Sequence, residues 1–118
     1  MSQAIYYIDK DTGLYAEPNT CNRAFIPEQA IDIAVGRVLD KTSLLTALDN
    51  ALNFPDYFAH NWDSAWDCLT DSDAEHLRLD LTEIEQINTE DFKVFKSIIE
   101  DAYRDFGRPQ LWVIGSSL

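Results

Sequence analysis

The pattern that most constrains this chain is a repeated switch in hydrophobic period. Ile31, Ile33 and Val35 alternate with Asp32 and Ala34, and Leu77, Leu79 and Leu81 alternate with Arg78 and Asp80. Residues 111–114 are apolar without a break. Alternation marks a strand with one buried face, and an unbroken short run marks a strand covered on both. Between these segments the period lengthens to that of a helix. Leu44, Leu45, Leu48 and Leu52 make one stripe, residues 61–69 carry a second, and Phe92, Phe95, Ile98, Ile99, Ala102, Tyr103 and Phe106 make a third. Strands separated by helical crossovers pair in parallel, so the expected fold is α/β, with about three parallel strands packed with helices. Residues 111–114, the most apolar, are expected at the centre of the sheet.

Local signals place the ends of these elements. Gly36 closes the first strand. Thr42 or Ser43 is expected to cap the first helix, Pro55 to end it, and Asn61 to cap the second. Thr89 precedes the third, and Gly107 with Pro109 stops it. Residues 82–86 are expected to form a further short helix. Residues 1–30 differ in character. Residues 4–8 have strand composition, 9–13 are turn formers, Leu14 and Tyr15 begin a returning strand, 18–22 form a loop, and 27–30 hold a helical turn. The expected organisation is an N-terminal hairpin or edge extension over residues 1–30 and one domain over residues 31–118. A chain of 118 residues has room for one core.

Charge narrows the function classes. Twenty-one acidic residues against nine Lys and Arg leave a net charge of −12. Such a chain repels phosphate backbones and anionic membranes, which argues against direct binding to nucleic acid or lipid, and it favours a basic partner. Solubility alone also accounts for an acidic balance. The longest apolar runs span four or five residues, far short of the ~20 needed to cross a bilayer. The N-terminus lacks a basic stretch followed by an apolar one. Cys21 and Cys68 form no CxxC pair and have no His at ligand spacing, so neither a disulfide framework nor a zinc site is indicated. Two free thiols suit a reducing cytoplasm. Cys68, within a helical stripe, is expected to be a small buried core residue.

Residues 54–70 hold the densest run of unusual side chains, FPDYFAHNWDSAWDCLT. Trp62 and Trp66 are four apart, as are Asp63 and Asp67, so each pair shares a helix face. Asp63 suits the first turn of a helix, where the dipole favours an acid; Asp67 has no such excuse. Three uses compete for the stripe. Paired carboxylates can serve acid–base catalysis, but no nucleophile–base pair and no phosphate-cradling loop accompanies them. His60, Asp63 and Asp67 can converge on a metal, but the spacing is no signature. Asp71, Asp73 and Glu75 mimic the start of a calcium loop, with His76 where that loop needs glycine. The third use is an acidic docking face, since aromatics beside charges are the usual composition of an interface centre.

The run Trp66-Asp67-Cys68-Leu69-Thr70, preceded by Pro55, Tyr57, Asn61 and Asp63, resembles the signature of the barstar family, intracellular inhibitors of ribonucleases. The resemblance extends over residues 31–118 and implies the barstar fold. It implies that Asp67 enters a nuclease's phosphate-binding pocket, with Asp63 its companion one turn earlier and Tyr57 the aromatic that packs on the partner's active-site histidine. Ala59, Asn61, Trp66 and Thr70 match neighbouring contact positions. Asp101 and Asp105 match glutamates that face basic residues of the nuclease. Three departures stand out: Ala59 replaces a glycine and is expected to stiffen or shift the loop, His60 replaces an acid, and Ser72 replaces an aromatic.

The resemblance thus implies a cytoplasmic, barstar-like ribonuclease inhibitor, monomeric when free, with no catalytic residue and no cofactor. Its partner is expected to be a basic extracellular or toxin-type ribonuclease other than barnase itself. The alternative is an acidic adaptor or immunity protein that binds a basic partner of unrelated chemistry.

Overall fold

A computed structural model describes residues 4–9, 15–17 and 28–115. In chain order the elements are β1 (Ile5–Asp9), β2 (Tyr15–Glu17), β3 (Ile31–Asp32), β4 (Val38–Leu39), α1 (Lys41–Leu52), α2 (Trp62–Asp71), β5 (His76–Asp80), β6 (Gln86–Ile87), α3 (Thr89–Phe106) and β7 (Gln110–Gly115). The main sheet has the order β2-β1-β7-β5-β3. Strands β1, β7, β5 and β3 run parallel, and β2 lies antiparallel on the outer side of β1.

The all-apolar strand takes the middle, as its composition demands. Leu111 and Val113 are fully buried on the helix side, and Trp112 is buried on the other face, stacked on Tyr6 with ring centroids 5.0 Å apart. Polar residues at alternate positions would have left one of those faces wet. The core lies between the sheet and the three helices. Leu44, Leu45 and Leu48 of α1, Ala65 and Leu69 of α2, and Phe95, Ile98, Ile99 and Ala102 of α3 meet Leu77, Leu79, Leu111 and Val113. Each such leucine contributes about 1.5–3 kcal/mol by leaving water.

The three parallel strands β3, β5 and β7 are those read from the sequence. The expected hairpin also forms, from β1 and β2, and it adds to the sheet through a continuous parallel register of β1 on β7, from Ile5 opposite Leu111 to Asp9 opposite Gly115. Residues 10–14 and 18–27 lie outside the described residues, and with them Leu14, Cys21, the expected loop at 18–22 and the start of the expected turn at 27–30. No helix of the described residues is long and apolar enough to cross a membrane.

Three expectations are corrected. The first helix is capped by Asp40, not by Thr42 or Ser43. Asp40 Oδ1 accepts from the Ser43 N–H at 2.8 Å, and Ser43 Oγ accepts from the Asp40 N–H at 2.9 Å. Ser43 is thus the third residue of the helix, the reciprocal partner in a capping box. The first strand stops at Asp32, short of Val35. Ile33 still donates to the Arg78 carbonyl at 2.8 Å, and the chain then turns at Gly36, φ +78°, into β4. Residues 82–86 form no helix. Ile84 closes a single turn on the Leu81 carbonyl at 3.2 Å, but Thr82 donates to Asp80 Oδ1 at 2.8 Å, and Glu85 and Gln86 both donate to the Arg37 carbonyl. That last link registers β6 on β4 as a small second parallel ladder. Asp91 Oδ2 accepts from the Lys41 N–H at 2.8 Å, which ties the starts of α1 and α3 beside that ladder.

Candidate functional site

The loop between α1 and α2 is shaped by what it buries. Asn53 ends α1 in the left-handed conformation, φ +53°. Phe54 and Phe58 then turn into the core and meet edge to face at 4.9 Å. The turn between them, closed by Phe58 N–H to the Pro55 carbonyl at 3.0 Å, throws Tyr57 outward. Tyr57 is 68% exposed, the most exposed of the large apolar side chains described. No buried partner explains so large a ring in water.

Ala59, expected to stiffen or shift the loop, does not occupy the left-handed region. That conformation belongs to His60, φ +51°. Alanine at 59 therefore meets no left-handed backbone penalty. The Ala59 N–H donates to Ser64 Oγ at 3.1 Å, which pins the loop to the first turn of α2. The His60 ring lies 4.7 Å from that of Phe58, and its Nε2 is 3.9 Å from Asp49 of α1.

Helix α2 begins where expected. Asn61 is extended, and its Oδ1 accepts from the Ser64 N–H at 2.7 Å. Ala65, Cys68 and Leu69 face the core. Asp63 and Asp67 fall two residues either side of Ala65 and therefore point away from it, exposed. Neither forms an ion pair among the described residues. Trp62 packs partly into the core; Trp66 is half-buried, its ring edge-on to Phe106 of α3 at 6.0 Å. Thr70 is half-buried, and its Oγ1 donates to the Asp67 carbonyl at 3.0 Å. Cys68 is the buried core residue expected. Burial pushes its thiol up, against a smaller downward pull from a hydrogen bond with Ser64.

Tyr57, Ala59, Asn61, Asp63, Trp66, Asp67 and Thr70 thus sit on one continuous loop–helix unit, and the Trp66–Phe106 contact brings the last turn of α3 against it. Asp101 and Asp105 arrive by that route but not as free carboxylates. Arg104 Nη1 lies 3.3 Å from Asp101, and its Nε donates to Asp105 at 3.2 Å. The Asp105 hydrogen bond holds the guanidinium even more firmly protonated than usual. Among the described residues no group of three His, Cys, Asp or Glu is placed to hold a metal ion. His60 turns toward Asp49 rather than toward Asp63.

Sequence reasoning missed three members of this surface. Ser64 was announced by its place three residues after the Asn61 cap, where a hydroxyl can reach back to the loop. Arg104 was announced by its i,i+3 spacing from Asp101. Asp71 repeats the four-residue spacing once more, so that Asp63, Asp67 and Asp71 form a ladder of three carboxylates along α2.

Compared with models of known protein families, residues 28–114 match Barstar, described as the barnase inhibitor. That span is well over half of the chain. No curated protein matches it.

Proposed function

The chain belongs to the barstar family, and on that premise we propose that it inhibits a ribonuclease by filling the enzyme's basic cleft with the acidic face of α2. The family's described role is barnase inhibition. The observation that carries the finer reading is the pair Asp63 and Asp67, exposed, one turn apart and without a cation of their own. Like charges at this spacing cost a helix a few tenths of a kcal/mol. The cost is recovered when a partner supplies the cations.

A cleft that cleaves RNA holds phosphates with Arg, Lys and His. Two carboxylates on a rigid helix offer those groups the same charge and can accept paired guanidinium hydrogen bonds. Tyr57 and the open part of Trp66 supply aromatic surface on the same loop–helix unit, the kind of group that anchors interface centres. The inhibitor performs no chemistry; it occupies the place where RNA would lie. A net charge of −12 draws a basic enzyme in and makes the association rate fall with salt. The proposed setting is the cytoplasm of the cell that makes the nuclease, with one inhibitor per enzyme.

The test is a titration of the purified chain into barnase-type ribonucleases, with RNA cleavage as the readout and Asp67→Ala as the comparison. Stoichiometric inhibition by the parent, lost or strongly weakened in the variant, is expected. Equal inhibition by both would remove Asp67 from the site. No inhibition of any basic ribonuclease, together with capture of a basic protein of other chemistry, would favour an immunity or adaptor role.

A further inference from the structure

We propose that the groove beside Tyr57 receives an arginine side chain of the protein partner. The groove encloses about 690 Å³ between the end of α1, the loop after it and the end of α2, a volume typical of sites that hold small organic groups. Ala51, Leu52 and Phe54 supply apolar lining, and Tyr57 forms one wall. Asp71 and Asp73 also line it. Both are exposed, and neither is in an ion pair among the described residues. Arg108 reaches this end of the helix, but its Nε donates to the Ser72 carbonyl at 3.1 Å and it pairs with neither acid.

The guest's chemistry follows from that lining. Apolar walls call for an aliphatic stem, and two unpaired carboxylates call for a cation at its end. Asp71 sits in the last turn of α2, where the helix dipole disfavours an acid and where no basic residue of the helix offsets it. A cation from outside relieves that repulsion. Arginine fits better than lysine for two reasons. Its guanidinium stacks on an open aromatic face such as that of Tyr57, and its fork of donors can serve two carboxylates at once. The charge ladder Asp63, Asp67, Asp71 leads from the proposed docking centre to this groove. The source of the arginine rests on the inhibitor reading; the preference of the groove is a property of this chain alone.

The experiment is a titration of the ¹⁵N-labelled protein with N-acetyl-arginine methylamide, and separately with uncharged N-acetyl-norleucine methylamide. Saturable shifts at the amides of Ala51, Leu52, Tyr57 and Ala74 are expected with the arginine probe. They should be several-fold weaker with norleucine and absent in Asp71→Asn/Asp73→Asn, whose remaining spectrum reports that it is folded. Asp73→Asn alone, outside the helix, serves where the double variant does not fold. Against a ribonuclease that the parent inhibits, the double variant should be weaker by about fivefold, the scale of exposed charge pairs. Equal shifts from both probes, no shifts from arginine, or shifts that persist in the variant would overturn the groove. If the probe binds while no ribonuclease is inhibited, the docking reading fails and the groove stands. If Asp67→Ala abolishes inhibition while the probe shifts nothing, the groove fails and the docking reading stands.

Discussion

Asp63 with Asp67 on α2 and Asp101 with Asp105 on α3 are two pairs of aspartates one turn apart, and the two pairs are in opposite electrostatic states. In α2 the residues between Asp63 and Asp67 are Ser64, Ala65 and Trp66; in α3 those between Asp101 and Asp105 are Ala102, Tyr103 and Arg104. One side chain makes the difference. Arg104 bridges both of its aspartates at 3.2–3.3 Å, whereas Asp63 and Asp67 meet no cation among the described residues. Identical spacing therefore sets which face the acids share but not whether their charge is available. On the proposed docking, a partner's arginine would find free carboxylates on α2, and on α3 it would have to displace Arg104.

The sharpest way to break this contrast is to truncate both sets. Asp67→Ala is expected to weaken inhibition of a cognate ribonuclease by about 3–5 kcal/mol, a factor on the order of 10²–10⁴, because it leaves the enzyme's desolvated cations unpaired. Asp101→Ala should stay within about 1 kcal/mol, the scale of an exposed pair. Inhibition constants for the two variants, measured side by side, decide it. Comparable losses would mean that the enzyme strips Arg104 away and treats both helices alike.

The next effect concerns how α2 is held rather than what it carries. Asn61→Ala removes the acceptor of the Ser64 N–H and should lower folding stability by about 1 kcal/mol, read by urea denaturation. An unchanged midpoint would show that the Ser64 hydroxyl, already bonded to the Ala59 N–H, holds the start of the helix without it.

A smaller effect has the opposite sign. Asp67 faces a like charge one turn away on each side, Asp63 and Asp71, and each such pair destabilises a helix by about 0.2–0.5 kcal/mol. Asp67→Asn should therefore raise the thermal midpoint slightly while it weakens inhibition. A drop in the midpoint would mean that the carboxylate supports its own fold, and the case for a surface reserved for a partner would fail.

Much of this was legible beforehand, and the long-range pairings were not. The central strand, the Asn61 cap, the buried Cys68 and the outward Asp63–Asp67 pair follow from patterns that close within a few residues, which is the range over which local sequence speaks. The two-residue ladder of β4 on β6 does not, since Gln86 finds its acceptor at Arg37, far away in the chain. The parallel register of β1 on β7 joins opposite ends of the described chain, and nothing near Ile5 announces it. The Asp40 cap was missed for a different reason. Asp40, Thr42 and Ser43 all suit a cap, and only the extended backbone at 40 chooses between them. Arg104 is within local reach, at i,i+3 from Asp101 and beside Asp105.

Arg104→Ala carries the smallest expected effect and separates the two helices most directly. The guanidinium is exposed, so its removal should change folding stability little. What changes is the field: Asp101 and Asp105 become a free pair one turn apart, as Asp63 and Asp67 are, and the net charge moves from −12 to one unit more negative. Association with a basic ribonuclease should then quicken by a few-fold at low salt, and the gain should vanish as salt screens it. The dissociation rate decides what the α3 pair is for. A slower dissociation would mean that the freed carboxylates reach the enzyme and that Arg104 limits how tightly this chain binds. A faster one would mean that Arg104 itself meets an acid of the partner. In that case α3 selects its nuclease by a mixed-charge contact, while α2 recognises only positive charge.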